Sequence, residues 1–126
     1  MVEYNYDPQK NIVTVYPNEA LSVFDISEYV QQILEDSNIK TGFIDLVDFQ
    51  EVNDFQFTYK EATNFPAIFT DLINKKAHKG TIILTRSHLQ FGIARMWSMI
   101  MDGYLDVHVV RSVEEAEKSI EMINGL

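Results

Sequence analysis

The only guanidinium groups in this chain of 126 residues and formal net charge −9 are Arg86, Arg95 and Arg111. Two of them directly follow strand-like runs, Thr81 to Thr85 and Asp106 to Val110, and each of those two is followed by a serine, Ser87 or Ser112, placed to cap a helix. If the two runs are neighbouring strands, Arg86 and Arg111 stand side by side at the carboxyl edge of a sheet, next to two helix N-termini. Guanidinium groups and helix N-terminal amides both favour anions. The carboxyl edge is also where open α/β sheets bind ligands. This spacing marks Arg86, Ser87, His88 and Arg111 as a candidate site for a phosphate or carboxylate, with His88 as a further donor. The competing reading pairs the arginines with Asp48, Glu51 or Asp54 from a neighbouring loop.

Other chemistry finds less support. The chain has no cysteine, which removes disulfides, thiolate metal sites and thiol nucleophiles. His78, His88 and His108 are too scattered for a metal site. Asp45, Asp48, Glu51 and Asp54 have the oxygen ligands a magnesium ion takes, but Asp45 falls within a strand run and the others on a loop, where a solvated acidic surface is the simpler reading. A response-regulator receiver would use Asp48 as phosphate acceptor and Thr85 as hydroxyl. It also needs an acidic pair after the first strand and a lysine after the last, and here the last strand ends in Arg111. No Walker loop, Gly-x-Gly-x-x-Gly or Gly-x-Ser-x-Gly occurs. No acid, base or nucleophile is placed by any motif, so the expectation is a protein that is not an enzyme and uses neither metal nor cofactor.

The helix expected from Leu89 to Asp102 has more apolar residues than one face needs. Positions 89, 93, 96, 97 and 100 form a stripe suited to packing on a sheet. Phe91, Met99 and Met101 fall elsewhere, and methionine and tryptophan suit adaptable contact surfaces. Phe91, Trp97, Met99 and Met101 are therefore the candidate interface, for a homodimer, another protein or the wall of a pocket. The alternative is that neighbouring helices cover them. One cation, Arg95, on such a helix does not make a membrane-surface helix.

These groups need elements to position them. From Gly80 to Ile120 the pattern reads strand, helix, strand, helix, and strand–helix–strand in so few residues implies a parallel pair with a right-handed crossover. Asp102-Gly103 stops the first of these helices. Ser112 with Glu115 has capping-box spacing, and Val113, Ala116, Ile120 and Ile123 line the second. Upstream, Val2 to Tyr6 and Ile12 to Tyr16 alternate around the turn residues Asp7 to Asn11, as in a hairpin. Ser22 or Asp25 caps the next helix, whose stripe is Ile26, Tyr29, Val30, Ile33 and Leu34; Asp25 with Glu28 has the capping-box spacing. Gly42 to Val47 reads as a strand. Residues 49–57 read as a loop laying its phenylalanines over the sheet edge. Thr58 with Glu61 opens a helix running to about Lys76, in which Pro66 demands a kink or a break. The sum is a single α/β domain over residues 1–126, with a mixed, mostly parallel sheet of about five strands, an N-terminal β-hairpin and four helices.

Hydrophobic residues make up 46% of the chain, enough for a core, with no apolar run long enough to span a membrane. The N-terminus is polar and lacks signal-peptide character, so a cytoplasmic location is expected. The net charge makes nucleic acid an unfavourable partner.

The phrases GFIDLVD (42–48), FGIARMW (91–97) and VVRSVEEAEKSI (109–120) resemble bacterial proteins of the STAS/Sec14-like group, and the element order resembles the SpoIIAA-like, or STAS-type, fold. The resemblance covers nearly the whole chain. It implies the β/α superhelix of that fold and a role in binding proteins or small ligands. In anti-sigma-factor antagonists of this type, a serine after the middle strand is phosphorylated to switch partner binding. The matching stretch here, Asp48 to Asp54, contains no serine; the nearest hydroxyl, Thr58, is a helix cap, so the switch is not carried over. The Sec14 side implies an apolar pocket, walled by the 49–57 loop and the helix after Ser87. The expectation is a regulatory binding module that contacts a protein, and itself, through the Phe91–Met101 helix. A carrier or sensor of a small apolar or anionic molecule is the alternative.

Overall fold

The computed structural model describes residues 2–125. Its elements are β1 (Glu3–Asp7), β2 (Ile12–Tyr16), β3 (Ala20–Ser22), α1 (Val23–Glu35), β4 (Ile44–Asp48), β5 (Asp54–Gln56), α2 (Tyr59–Ala62), α3 (Phe65–Lys75), β6 (Gly80–Leu84), α4 (His88–Met101), β7 (Asp106–Val110) and α5 (Val113–Ile123). The main sheet has the order β1-β2-β4-β6-β7. β1 and β2 pair antiparallel with Tyr4 opposite Val15 and Tyr6 opposite Val13, and every other neighbour is parallel. The Asp7 carboxylate accepts from the backbone N–H groups of Gln9 and Lys10, closing the hairpin turn.

The strands carry apolar side chains on both faces, as parallel strands covered on both sides must. Val13, Val15, Val47 and Ile83 point to one face, where α1, α3 and α4 pack. Ile12, Ile44, Ile82, Leu84 and Val110 point to the other, where Ala116, Ile120 and Ile123 of α5 cover them. Period-two alternation within each strand sorts the two sets.

Serine and threonine caps set the helix starts. Ser22 caps α1, with Asp25 as its capping-box partner. This decides between Ser22 and Asp25 and replaces the Asp25–Glu28 pairing, because the helix begins one turn earlier than that pairing requires. Thr58 and Glu61 form the box of α2, Ser87 and Gln90 that of α4. Ser112 accepts from Glu115 N at the start of α5, while the Glu115 carboxylate accepts from Arg111 N. The helix anticipated from Thr58 to Lys76 is broken in two, and Pro66 sits in the first turn of α3, where its missing N–H leaves no intrahelical bond unmade.

The segment 49–57 departs most from expectation. It is no surface flap. Residues 54–56 pair in parallel with β3, Leu21 opposite Phe55, as a second small sheet. Phe49 and Val52 are buried, and Phe55 and Phe57 pack against the same core. Phe49, Phe57, Phe65, Phe69 and Trp97 interlock, with Phe65 4.5 Å and Phe69 6.0 Å from the Trp97 ring.

Candidate functional site

α4 presents one face to the core and another to solvent, and its rotation decides what each candidate residue does. The buried positions are Gln90, Ala94, Trp97 and Met101. Leu89, assigned to the sheet by the apolar stripe, is 55% exposed, while Ile93, Met96 and Ile100 are only partly buried. The face is turned by Gln90. Its amide nitrogen donates to the carbonyls of Gln50 and Val52, and its amide oxygen accepts from the N–H groups of Arg86 and Ser87. A buried glutamine thus ties the 49–53 loop to the start of α4, with every bond it makes satisfied internally. An apolar-stripe argument has no place for such a residue.

Two of the four interface candidates fall out as a result. Trp97 lies at the centre of the aromatic cluster and Met101 is fully buried, so neither is available to a partner. Phe91 is half-buried and Met99 is 72% exposed, and both remain on the surface.

The anion-site candidates are redistributed. Arg86, Ser87, His88 and Arg111 are all exposed at the carboxyl edge of β6 and β7. The amides of Arg86, Ser87 and Gln90 are already taken by the Gln90 and Ser87 side chains, so the helix N-terminus offers an anion less than the capping pattern implies. The side chains of Arg111 and Arg95 turn instead to Phe91. The Arg111 guanidinium carbon lies 4.0 Å from the ring centroid and that of Arg95 5.8 Å. Among the described residues no ion pair involves an arginine, so the pairing with Asp48, Glu51 or Asp54 does not form. His88, Phe91, Gly92, Arg95 and Arg111 line one open groove, and Tyr59, Gly92, Arg95, Met96, Met99 and Ile100 line the next. The two meet at Gly92, which has open space where a side chain would stand. Together they form one strip along α4, cationic and aromatic at its start and apolar toward its end.

A second cluster lies inside. Asp45, 1% exposed, points from β4 toward α1. Its Oδ2 accepts from Tyr29 Oη (2.9 Å); its Oδ1 accepts from Thr81 Oγ1 (2.5 Å) and lies 2.8 Å from His78 Nε2. Burial pushes the Asp45 carboxyl upward, but the His78 charge and the three donors outweigh it and hold the group below its ordinary range. An ionised carboxylate only accepts, so His78 Nε2 carries the proton. His78 stacks on Phe43 at 4.4 Å, and its Nδ1 is buried without a protein partner. Burial, then the Asp45 charge, drive the Tyr29 phenol well above its usual value. Tyr29, Asp45 and Thr81 of this network, with Val15, Phe49 and Trp97, line a cavity of about 30 Å³. That is room for no more than a water or two. The partners of Asp45 are 16, 33 and 36 residues away along the chain, and no local spacing connects them. The network pins α1, β4, β6 and the α3–β6 turn together.

Among the described residues, no group of three or more His, Asp or Glu could hold a metal ion, and no helix is long and apolar enough to cross a membrane. Asp45 is turned into the core, away from Asp48, whose carboxylate caps the N–H of Gln50.

A five-stranded, mostly parallel sheet with an N-terminal hairpin, three long helices and the short α2 on one face and α5 on the other defines a SpoIIAA-like α/β fold. The chain is similar to an uncharacterised protein of the DUF3478 family with a SpoIIAA-like fold from Shewanella loihica PV-4. The two share 14% sequence identity at a TM-score of 0.60, over 95% of this chain and 92% of the other. The fold expected from the sequence is thereby shown. No protein-family model and no curated protein matches the sequence.

Proposed function

We propose that the chain is a non-catalytic binding module that contacts a protein partner through the exposed face of α4. The supporting observation is the continuous strip from His88 to Ile100, joined by Tyr59 and Arg111, in which arginine, aromatic and methionine side chains lie open together. Those residue types are enriched in protein interfaces. The interior cavity of about 30 Å³ is small beside the roughly 300 Å³ that a small-molecule pocket needs, and for that reason we rank the carrier or sensor reading second. The residues lining this face include no carboxylate, so a two-fold contact of the face with itself offers the arginines no acid, and a different protein ranks ahead of a homodimer.

Native mass spectrometry of protein purified without denaturation tests this reading. The bare polypeptide mass is the expected result. A stoichiometric small molecule retained on the chain would move the assignment to the carrier. A dimer that dissociates in Met99→Asp would make a second copy the partner.

A further inference from the structure

The α4 strip is asymmetric along its length. His88, Phe91 and Arg111 occupy its start, Arg95 its middle, and Met96, Met99, Ile100 and Tyr59 its end. The Arg111 guanidinium lies over the Phe91 ring, and a guanidinium held on an aromatic ring can still offer N–H groups to a planar acceptor. The chain has 19 acidic residues, yet none of those described is within ion-pair distance of any arginine. Arg95 and Arg111, two guanidinium groups without an ion-pair partner among the described residues, share one face of a strongly acidic protein.

Resting on the reading of the chain as a protein-binding module, we infer that this strip docks an acidic amphipathic segment of the partner. Carboxylates of the segment lie against Arg95 and Arg111, and apolar side chains about one to two turns along it cover Met99 and Tyr59. Thirteen helical residues at ~1.5 Å each make the strip roughly 20 Å long, which matches a segment of three to four turns lying along α4. A carboxylate takes a guanidinium edge in bidentate geometry. Charge complementarity selects an acidic segment, and the apolar half selects a peptide over a phosphate backbone, which has nothing to place on Met99. The net charge of −9 also repels a long polyanion.

The test is selection of a random 16-residue phage-displayed peptide library against the full chain. Enriched peptides are then synthesised and their binding measured by fluorescence anisotropy against wild type, Arg95→Glu/Arg111→Glu and Met99→Asp. All three side chains are exposed, so thermal melting should match wild type. The expected result is acidic peptides with apolar residues at helical spacing, at least about tenfold weaker on the arginine variant and on Met99→Asp, and weaker in high salt. Enrichment of neutral or basic peptides, or no enrichment, overturns the inference. Non-acidic peptides that still lose affinity on Met99→Asp would do so while leaving the binding-module reading in place. Peptides indifferent to both variants would remove α4 as the contact face altogether. Arginine-dependent binding of single-stranded DNA would overturn it in favour of a phosphate chain. Arginine-dependent self-association in sedimentation equilibrium would do so in favour of a second copy, whose α5 exposes Glu114, Glu117, Glu121 and Met122.

Discussion

Asp45 is a buried charge held by three donors, and its removal is a sharper event than its replacement by an apolar side chain. In Asp45→Asn an amide N–H₂ faces donors on Tyr29, Thr81 and His78, and at least one of them loses its acceptor. The expected loss is about 3 kcal/mol, read by urea unfolding near neutral pH; unchanged stability would mean that the network does not hold the layers together. The pH dependence has a definite sign. Because the folded carboxyl lies below its ordinary value, its contribution is full above the unfolded value of about 4. It declines below that value and is gone once pH falls through the folded pKa. Asp45→Asn should therefore flatten the acid limb of the stability profile. Tyr29 acts at the other end: its raised phenol pKa gives stability present below about pH 10 and lost as pH rises through the folded value. None of this was legible in the sequence, where Asp45 is one acid in an apolar run and its partners are remote.

At the scale of elements, what short-range chemistry determines was legible. Ser22, Thr58, Ser87 and Ser112 all cap helices, and Pro66 divides one. What depends on remote pairing was not. β5 is three residues long and finds β3 more than thirty residues upstream, so its phenylalanines read as a loop. The rotation of α4 was misread for the same reason, since Gln90 turns inward to meet carbonyls at 50 and 52. A contrast between two residues two positions apart checks that rotation. Trp97→Ala empties the centre of the aromatic cluster and should be destabilising by about 3–5 kcal/mol. Met99→Asp changes only an exposed side chain and should stay within about 0.5 kcal/mol. Chemical denaturation of both variants gives the comparison, and equal losses would mean that the helix presents the other face. The candidate site was half legible: its arginines and Phe91 were in view, but stacking of Arg111 on Phe91 depends on a helix rotation that no periodicity count supplies.

At the scale of the whole molecule, the sheet separates two tasks. α1, α3 and α4 share a large aromatic core on one face, with the proposed contact strip on its outer side. α5 alone covers the other face. Its approach depends on Gly80: a Cβ there would meet Ile123 Cδ1 at 2.9 Å and the Asp106 carbonyl oxygen at 3.1 Å. Gly80→Ala should therefore push the end of α5 outward at a cost of about 1–3 kcal/mol. Ile123→Val removes Cδ1 and leaves Cγ2 at 3.2 Å, so the double variant should recover part of that loss, a coupling read by a double-mutant cycle in thermal or urea unfolding. If the two faces are independent, Gly80→Ala lowers the melting temperature and leaves peptide affinity at α4 unchanged. Parallel loss of affinity and stability would instead mean that β6 transmits strain to Arg86 and α4, making the contact strip sensitive to whatever displaces α5.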